Sequence, residues 1–169
     1  AQYPFTAVAM DDPRFDPHAS YNTWGGATTM LSVLRAPDAF EAHGRYVELG
    51  WALWPALAAL GRDPRFAQTL NPWVGEAGFS ADHAPAALAL LDLVERCCGV
   101  LPRFDGTIWV TGSRPGAVEA SVPADSAYER TVRGRRLEVT LARDRATLRI
   151  DGIVRCTFPA GLRLILDAD

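Results

Sequence analysis

The sequence predicts a mainly helical N-terminal part followed by an antiparallel β-domain. Three observations predict it. Before Pro102 the apolar residues recur at three-to-four spacing, the period of a helix face. After Pro102 they alternate, the period of a half-buried strand. Pro and Gly clusters separate the periodic stretches. The expected domains are a helical segment over residues 1–102 and a small β-domain over 103–169.

Residues 1–23 carry Pro4, Pro13 and Pro17 among many Asp and read as irregular chain. Met30, Leu31 and Leu34 predict a short helix from Gly26 to Arg35, stopped before Pro37. A second helix is expected from Pro37-Asp38 to Leu60. Phe40, Val47, Trp51, Trp54 and Ala58 form its inward stripe, and Glu41 and Arg45 its wetter face. Pro55 should kink or split it, and Gly61 should cap it. The loop from Arg62 to Asp82 holds Phe66, Trp73 and Phe79. A third helix follows, with Asp82 as cap, Pro85 in its first turn and Gly99 at its close. Its centre, Ala86 to Leu91, is apolar nearly all round, which predicts enclosure on most sides.

Beyond Pro102, strands are expected at Thr107–Thr111, Tyr128–Val132, Leu137–Leu141 and Leu148–Ile150. Two more are expected at Val154–Phe158 and Leu162–Leu166, with a tight hairpin at Asp151-Gly152. The Arg residues after Arg130 should form a solvated face, and Trp109 should pack within its strand.

Composition narrows the function classes. Hydrophobic residues make up 49% and charged residues 22% of the 169, too apolar for a disordered chain. The formal charge of -3 argues against a nucleic-acid partner held by a basic surface. All 17 basic side chains are Arg, and the absence of Lys reads as genome-level bias. No apolar run reaches the ~18 residues of a membrane helix, and the sequence shows no basic-then-apolar leader, so no secretory signal is expected in it. Cys97, Cys98 and Cys156 are a poor disulfide framework and read as reduced thiols, with a cytoplasmic location expected. The opening Ala-Gln-Tyr-Pro, without Met, is expected of a piece of something longer. His18, His43 and His83 lack metal-ligand spacing, and phosphate-loop, nucleophile-elbow and calcium-loop patterns are missing. Neither a metal nor an organic cofactor is expected.

Two clusters remain. Tyr21-Asn22-Thr23-Trp24-Gly25-Gly26 precedes a helix, and Phe66-Ala67-Gln68-Thr69-Leu70-Asn71-Pro72-Trp73-Val74-Gly75-Glu76 follows the next. Both join a flat aromatic to amide or carboxylate groups. Sugar rings stack their C–H faces on aromatics, and their hydroxyls need side chains that donate and accept. Trp24 and Trp73 are the stacking candidates, because Trp51 and Trp54 lie on the helix stripe. An Asn-Pro turn beside a core Trp accounts for the second cluster equally well.

The order and spacing of these motifs, closed by Gly99-Val100-Leu101-Pro102, resembles the C-terminal end of the six-hairpin glycosidases. These are the trehalase and mannosyl-oligosaccharide glucosidase type of glycoside hydrolase. The resemblance covers about Tyr21 to Arg103. It implies the last helices of an (α/α)6 toroid, with the third helix in the inner ring. It also implies inverting hydrolysis of an α-linked gluco- or manno-configured sugar. The implied pocket is lined by Tyr21, Asn22, Trp24, Gln68, Asn71, Trp73 and Glu76. The rest of the toroid would be supplied by an upstream portion or another chain. The family's catalytic acid would lie upstream of this chain. Its base position holds Gln68, and a glutamine orients water without taking its proton. Glu76 then either shares in catalysis or accepts N–H groups of its own turn. Asp16 is a further carboxylate, expected to be solvated. The alternative implied by Gln68 is a non-catalytic carbohydrate-binding or assembly subunit. A third reading is an unrelated α+β domain with accidental motif matches.

Overall fold

A computed structural model of the protein describes residues 2–18, 24–112, 125–142 and 144–167. Among them lie three helices and ten strands in three antiparallel sheets. This overturns the expected (α/α)6 toroid: the described residues hold three helices, which form no ring, and three antiparallel sheets, one of them in the helical N-terminal part. The chain divides into two compact units, residues 1–93 and 94–169.

The first unit opens with irregular chain and a two-residue strand, β1 (Thr28–Thr29). Helix α1 (Met30–Ala42) follows at once, because the Thr29 side chain caps it by accepting from the Ser32 N–H at 3.2 Å. Pro37 does not stop α1. It sits inside the helix, buried on the same side as Met30 and Val33. The stop comes at Gly44, whose φ of 66° suits a residue without a Cβ. There Gly44 N–H donates to Glu41 O and Arg45 N–H to Phe40 O, the paired bonds of a Schellman ending. Glu41, expected on a wet face, is buried.

Helix α2 (Tyr46–Arg62) runs through both Pro55 and Gly61 without ending. Its buried stripe is Leu49, Ala52, Leu53, Ala56 and Leu60, so Trp51 and Ala58 face outward. Strands β2 (Thr69–Leu70) and β3 (Ala77–Gly78) complete a sheet in the order β1-β2-β3. Helix α3 (Ala84–Cys98) begins in this unit. Ala86, Ala89 and Leu93 are fully buried, whereas Leu88 is 54% and Leu91 62% exposed. The enclosure expected of α3 therefore fails. It is amphipathic by packing, with one side inward although both sides are apolar.

In the second unit, β4 (Val100–Pro102), β5 (Ile108–Thr111) and β10 (Arg163–Leu166) form a sheet ordered β10-β5-β4. Strands β6 (Asp125–Val132), β7 (Arg135–Ala142), β8 (Arg145–Ile150) and β9 (Ile153–Pro159) form a four-stranded up-and-down sheet. The final strand thus returns to β5 instead of extending the up-and-down order. Leu137, Val139, Leu141, Ala146, Leu148 and Phe158 pack with Val100, Ile108 and Val110 into one core. Two turns, Arg133-Gly134 and Asp151-Gly152, have both residues at positive φ, as a two-residue hairpin that follows strand twist requires. On the outer face Arg136 pairs with Glu129 at 2.6 Å and Arg149 with Glu138 at 3.4 Å. None of the described helices is long and apolar enough to cross a membrane.

Candidate functional site

The two sequence clusters, about forty residues apart, meet through the first sheet. Strand β1 begins two residues after Gly26 and pairs with β2, Thr28 opposite Leu70 and Thr29 opposite Thr69. Met30 N–H donates to Gln68 O at 3.0 Å, which extends the pairing. A second link runs through Phe15 and Asp16. Asp16 N–H donates to Gly25 O at 2.7 Å, and a Cβ on Gly26 would fall 2.7 Å from the Phe15 ring. Phe15 in turn meets Trp73 edge-to-face, with ring centroids 5.6 Å apart. Gly26, at a φ of 148°, is a glycine because neighbouring backbone crosses where a side chain would be.

The turn between β2 and β3 is built by Asn71. Its Oδ1 accepts from Trp73 N at 3.0 Å and Val74 N at 3.3 Å. Asn71 N–H donates to Glu76 O, and Gly75 N–H to Asn71 O. The turn is held by the Asn side chain, and the Glu76 carboxylate has no hydrogen bond or ion pair among the described residues. Pro72 is buried beneath it. Trp73 is 46% exposed and Trp24 63% exposed. Gln68 is half-buried, and its Oε1 accepts from Ser80 Oγ at 2.9 Å. Tyr21 and Asn22 lie outside the described residues. Asp16 is bound by its own turn, accepting from His18 N and Nδ1, which holds its carboxyl below the usual range.

Two concave surfaces flank the β2–β3 hairpin on its free edge. One, of about 290 Å³, is lined by Arg65, Ala67, Ala77, Gly78, Phe79, Ser80 and Ala81. The other, of about 400 Å³, is lined by Tyr3, Ala59, Arg62, Asp63, Arg65, Val74, Gly75 and Ala77. Arg65 and Ala77 belong to both, so the two are neighbours along β3. Both touch the Asn71–Glu76 turn or its strand, but neither is lined by Trp73, Glu76 or Gln68. The sequence singles out Phe79 as a loop aromatic but not Arg62, Asp63 or Arg65. The available signal was the Arg-Asp-Pro-Arg run, in which Asp63 accepts from Arg65 N and Nε. Phe66 and Phe79 adopt φ values of 48° and 70°, unusual for side chains of that bulk. Strain of this kind concentrates where a loop is held for a purpose.

His83 is a helix-start residue, its carbonyl accepting from Ala86 N–H, and burial pushes its imidazole below the ordinary value. Among the described residues no group of three His, Cys, Asp or Glu could hold a metal. No protein-family model, curated protein or solved structure matches the chain.

Proposed function

We propose that residues 1–93 carry a saccharide-binding face and belong to a carbohydrate-active protein related to the glycosidases that the motifs resemble. In this reading the chain binds sugar and does not itself cleave it. The observation that carries the reading is the meeting of the two motif clusters through β1, β2 and the Phe15–Asp16 segment. Two sequence-distant loops, each with an exposed Trp beside polar groups, then serve one ligand. Trp73 and Trp24 supply stacking faces, and the neighbouring clefts add the Arg65 guanidinium and the Ser80 hydroxyl for sugar hydroxyls.

Binding without cleavage follows from the donor set. Inverting hydrolysis needs one carboxyl to protonate the leaving oxygen and another to activate water. Gln68 is an amide already engaged by Ser80, and Glu76 is a single exposed carboxylate. A thermal-shift titration with maltose, trehalose and α-linked mannobiose tests the proposal. At least one sugar should raise Tm saturably, and Trp73→Ala should reduce its affinity about tenfold, the scale of one lost aromatic contact. Glu76→Gln should leave binding unchanged. No shift with any α-linked gluco- or manno-sugar overturns the proposal. Turnover of an aryl α-glucoside that Glu76→Gln abolishes would replace binding with hydrolysis.

A further inference from the structure

The larger cavity beside the β2–β3 hairpin, of about 400 Å³, holds polar groups to which the saccharide reading gives no role. Tyr3 lines it and is only 4% exposed. Its backbone is tied down on both sides, the N–H donating to Pro72 O at 2.9 Å and the carbonyl accepting from Thr28 Oγ1. Its hydroxyl has no partner among the described residues. The fully enclosed polar side-chain atoms without a partner are Trp54 Nε1 and Thr69 Oγ1 among those residues, so the Tyr3 hydroxyl, which is neither, opens onto the cavity. Gly75 forms the adjoining wall: a Cβ there would fall 2.7 Å from the hydroxyl oxygen. A hydroxyl this deep is costly unless water or a ligand pairs with it.

Two cations share the cavity and differ in what they leave free. Arg65 faces Asp63, its Nε donating to Oδ1 at 2.9 Å and its Nη2 to Oδ2 at 3.4 Å, so those two charges offset each other. Arg62, the last residue of α2, donates through Nε to Ala58 O at 3.1 Å. That bond orients the guanidinium and leaves Nη1 and Nη2 without a partner among the described residues. The surplus charge of the cavity is therefore positive and belongs to Arg62. Residues 1–93 hold five Arg against ten acids, so two of those Arg in one cavity reverse the sign locally. A third donor comes from the backbone. Asn71 N–H donates to Glu76 O, which makes these two a hydrogen-bonded pair. Such pairs alternate along an antiparallel ladder, so Thr69 and Gly78 form the next one and Leu70 and Ala77 do not. The Ala77 N–H thus points away from β2, towards the free edge of β3, where Ala77 lines the cavity.

A hydroxyl, the open edge of a guanidinium and a backbone N–H, with the one acid already matched, make a donor set for a carboxylate. Val74 and Gly75 of the same cavity directly follow Trp73 in the Asn71–Glu76 turn, so one turn serves both a stacked ring and a group reaching inward from it. Building on the saccharide face proposed above, we infer that its sugar is a uronic acid, with the pyranose ring on Trp73 and the carboxylate in the cavity, held by Arg62, the Tyr3 hydroxyl and the Ala77 N–H.

Isothermal titration calorimetry of the full chain with methyl α-D-glucuronide and methyl α-D-glucoside tests the inference, because the two differ only in the carboxylate at C6. The glucuronide should bind about tenfold more tightly, the scale of one charge-assisted contact. Its advantage should shrink as sodium chloride is raised. Arg62→Gln, at an exposed position, should keep the wild-type Tm, abolish the preference and leave the glucoside affinity unchanged. Tyr3→Phe, which removes the hydroxyl alone, should weaken glucuronide binding several-fold. Trp73→Ala should weaken both glycosides alike. Equal affinity for the two glycosides, or a preference that survives Arg62→Gln, overturns the uronic-acid assignment and leaves the saccharide reading standing. Binding of neither glycoside overturns both.

Discussion

The two units are held together in different ways. In residues 1–93 each of the three strands has two residues, and the backbone is fixed by individual side chains: Thr29 at a helix start, Asn71 in a turn, Thr28 donating to Tyr3 O. Non-glycine residues at positive φ, Phe5, Phe66, Phe79 and Asp82, mark the same loops. In residues 94–169, strands of up to eight residues alternate inward and outward around one core, and ion pairs cross the outer face. Charge divides as well: residues 1–93 hold five Arg against ten acids. A regular sheet spreads its stability over many equivalent apolar contacts. A loop-built unit concentrates it in a few positions where one atom too many, or one hydrogen bond too few, changes the path of the chain. The units should therefore fail under different kinds of substitution.

The largest effect is expected in the sheet core. Leu148 is buried between Val139 on one neighbouring strand and Cys156 on the other. Leu148→Ala should cost about 2–5 kcal/mol in urea unfolding, the range for a buried leucine that leaves a cavity. The same substitution at an exposed leucine of the first unit, Leu91→Ala on α3, should stay within about 0.5 kcal/mol. Equal costs for the two would mean that Leu91 is covered in solution, and the contrast between the units would collapse.

Next in size is a substitution that adds an atom. Gly75 has a φ of 69°, and a Cβ there would fall 2.6 Å from the buried Tyr3 ring. Gly75→Ala should cost about 1–3 kcal/mol through overpacking and an unfavourable backbone. It should also weaken any sugar binding by displacing Trp73. Gly134→Ala offers the comparison in the second unit: φ is again positive, but the position is open, so only the backbone cost of about 1 kcal/mol remains. Differential scanning calorimetry of the two variants separates the contact from the conformation.

The same contrast governs what the sequence made legible. All of the second unit's strands but β4 lie at the expected positions because alternation is a repeated signal, and the Asp151-Gly152 turn carries its own chemistry; β4 precedes the stretch in which strands were expected. Even there, β10's return to β5 was not visible, since register between distant strands is set by packing. The helices exist where periodicity placed them, and α3 ends close to its expected bounds, but α1 and α2 do not. Pro37 and Pro55 were weighted as breakers, yet each continues a helix whose other bonds and burial outweigh one missing N–H, while the decisive Gly44 drew no attention. On α2 Trp51 suggested the wrong inward face, whereas Trp54 is half-buried. Alanines supply much of the buried stripe, and their small size hides the helical period. The toroid failed for a related reason. An all-apolar helix centre is compatible with enclosure, but it does not require it, and Leu88 and Leu91 are exposed. At the candidate site the Asn71 turn was readable from Asn-Pro and Gly. The meeting of the two clusters through Phe15 was not, because no local signal links a loop phenylalanine to a tryptophan nearly sixty residues away.

The smallest expected effect is the order in which acid loosens the two units. In the first, burial holds the His83 imidazole below its ordinary value of about 6.5, so the unfolded chain binds that proton more readily. The corresponding stability is present above pH ~6.5 and lost as the pH falls through the folded value. In the second, Asp151 accepts from Arg136 N and from Arg135 Nε, which holds its carboxyl below the ordinary value of about 3.9. Its contribution is present above pH ~3.9 and lost only as the pH falls further. Hydrogen exchange measured on acidification from pH 7 should therefore show protection declining first around α3's start and later at the β8–β9 hairpin. His83→Gln should remove the earlier decline and leave the later one, and Asp151→Asn should do the reverse. Simultaneous decline in both regions, in the wild type and in both variants, would mean that the two units unfold as one cooperative body, and the contrast drawn between them would not extend to their stability.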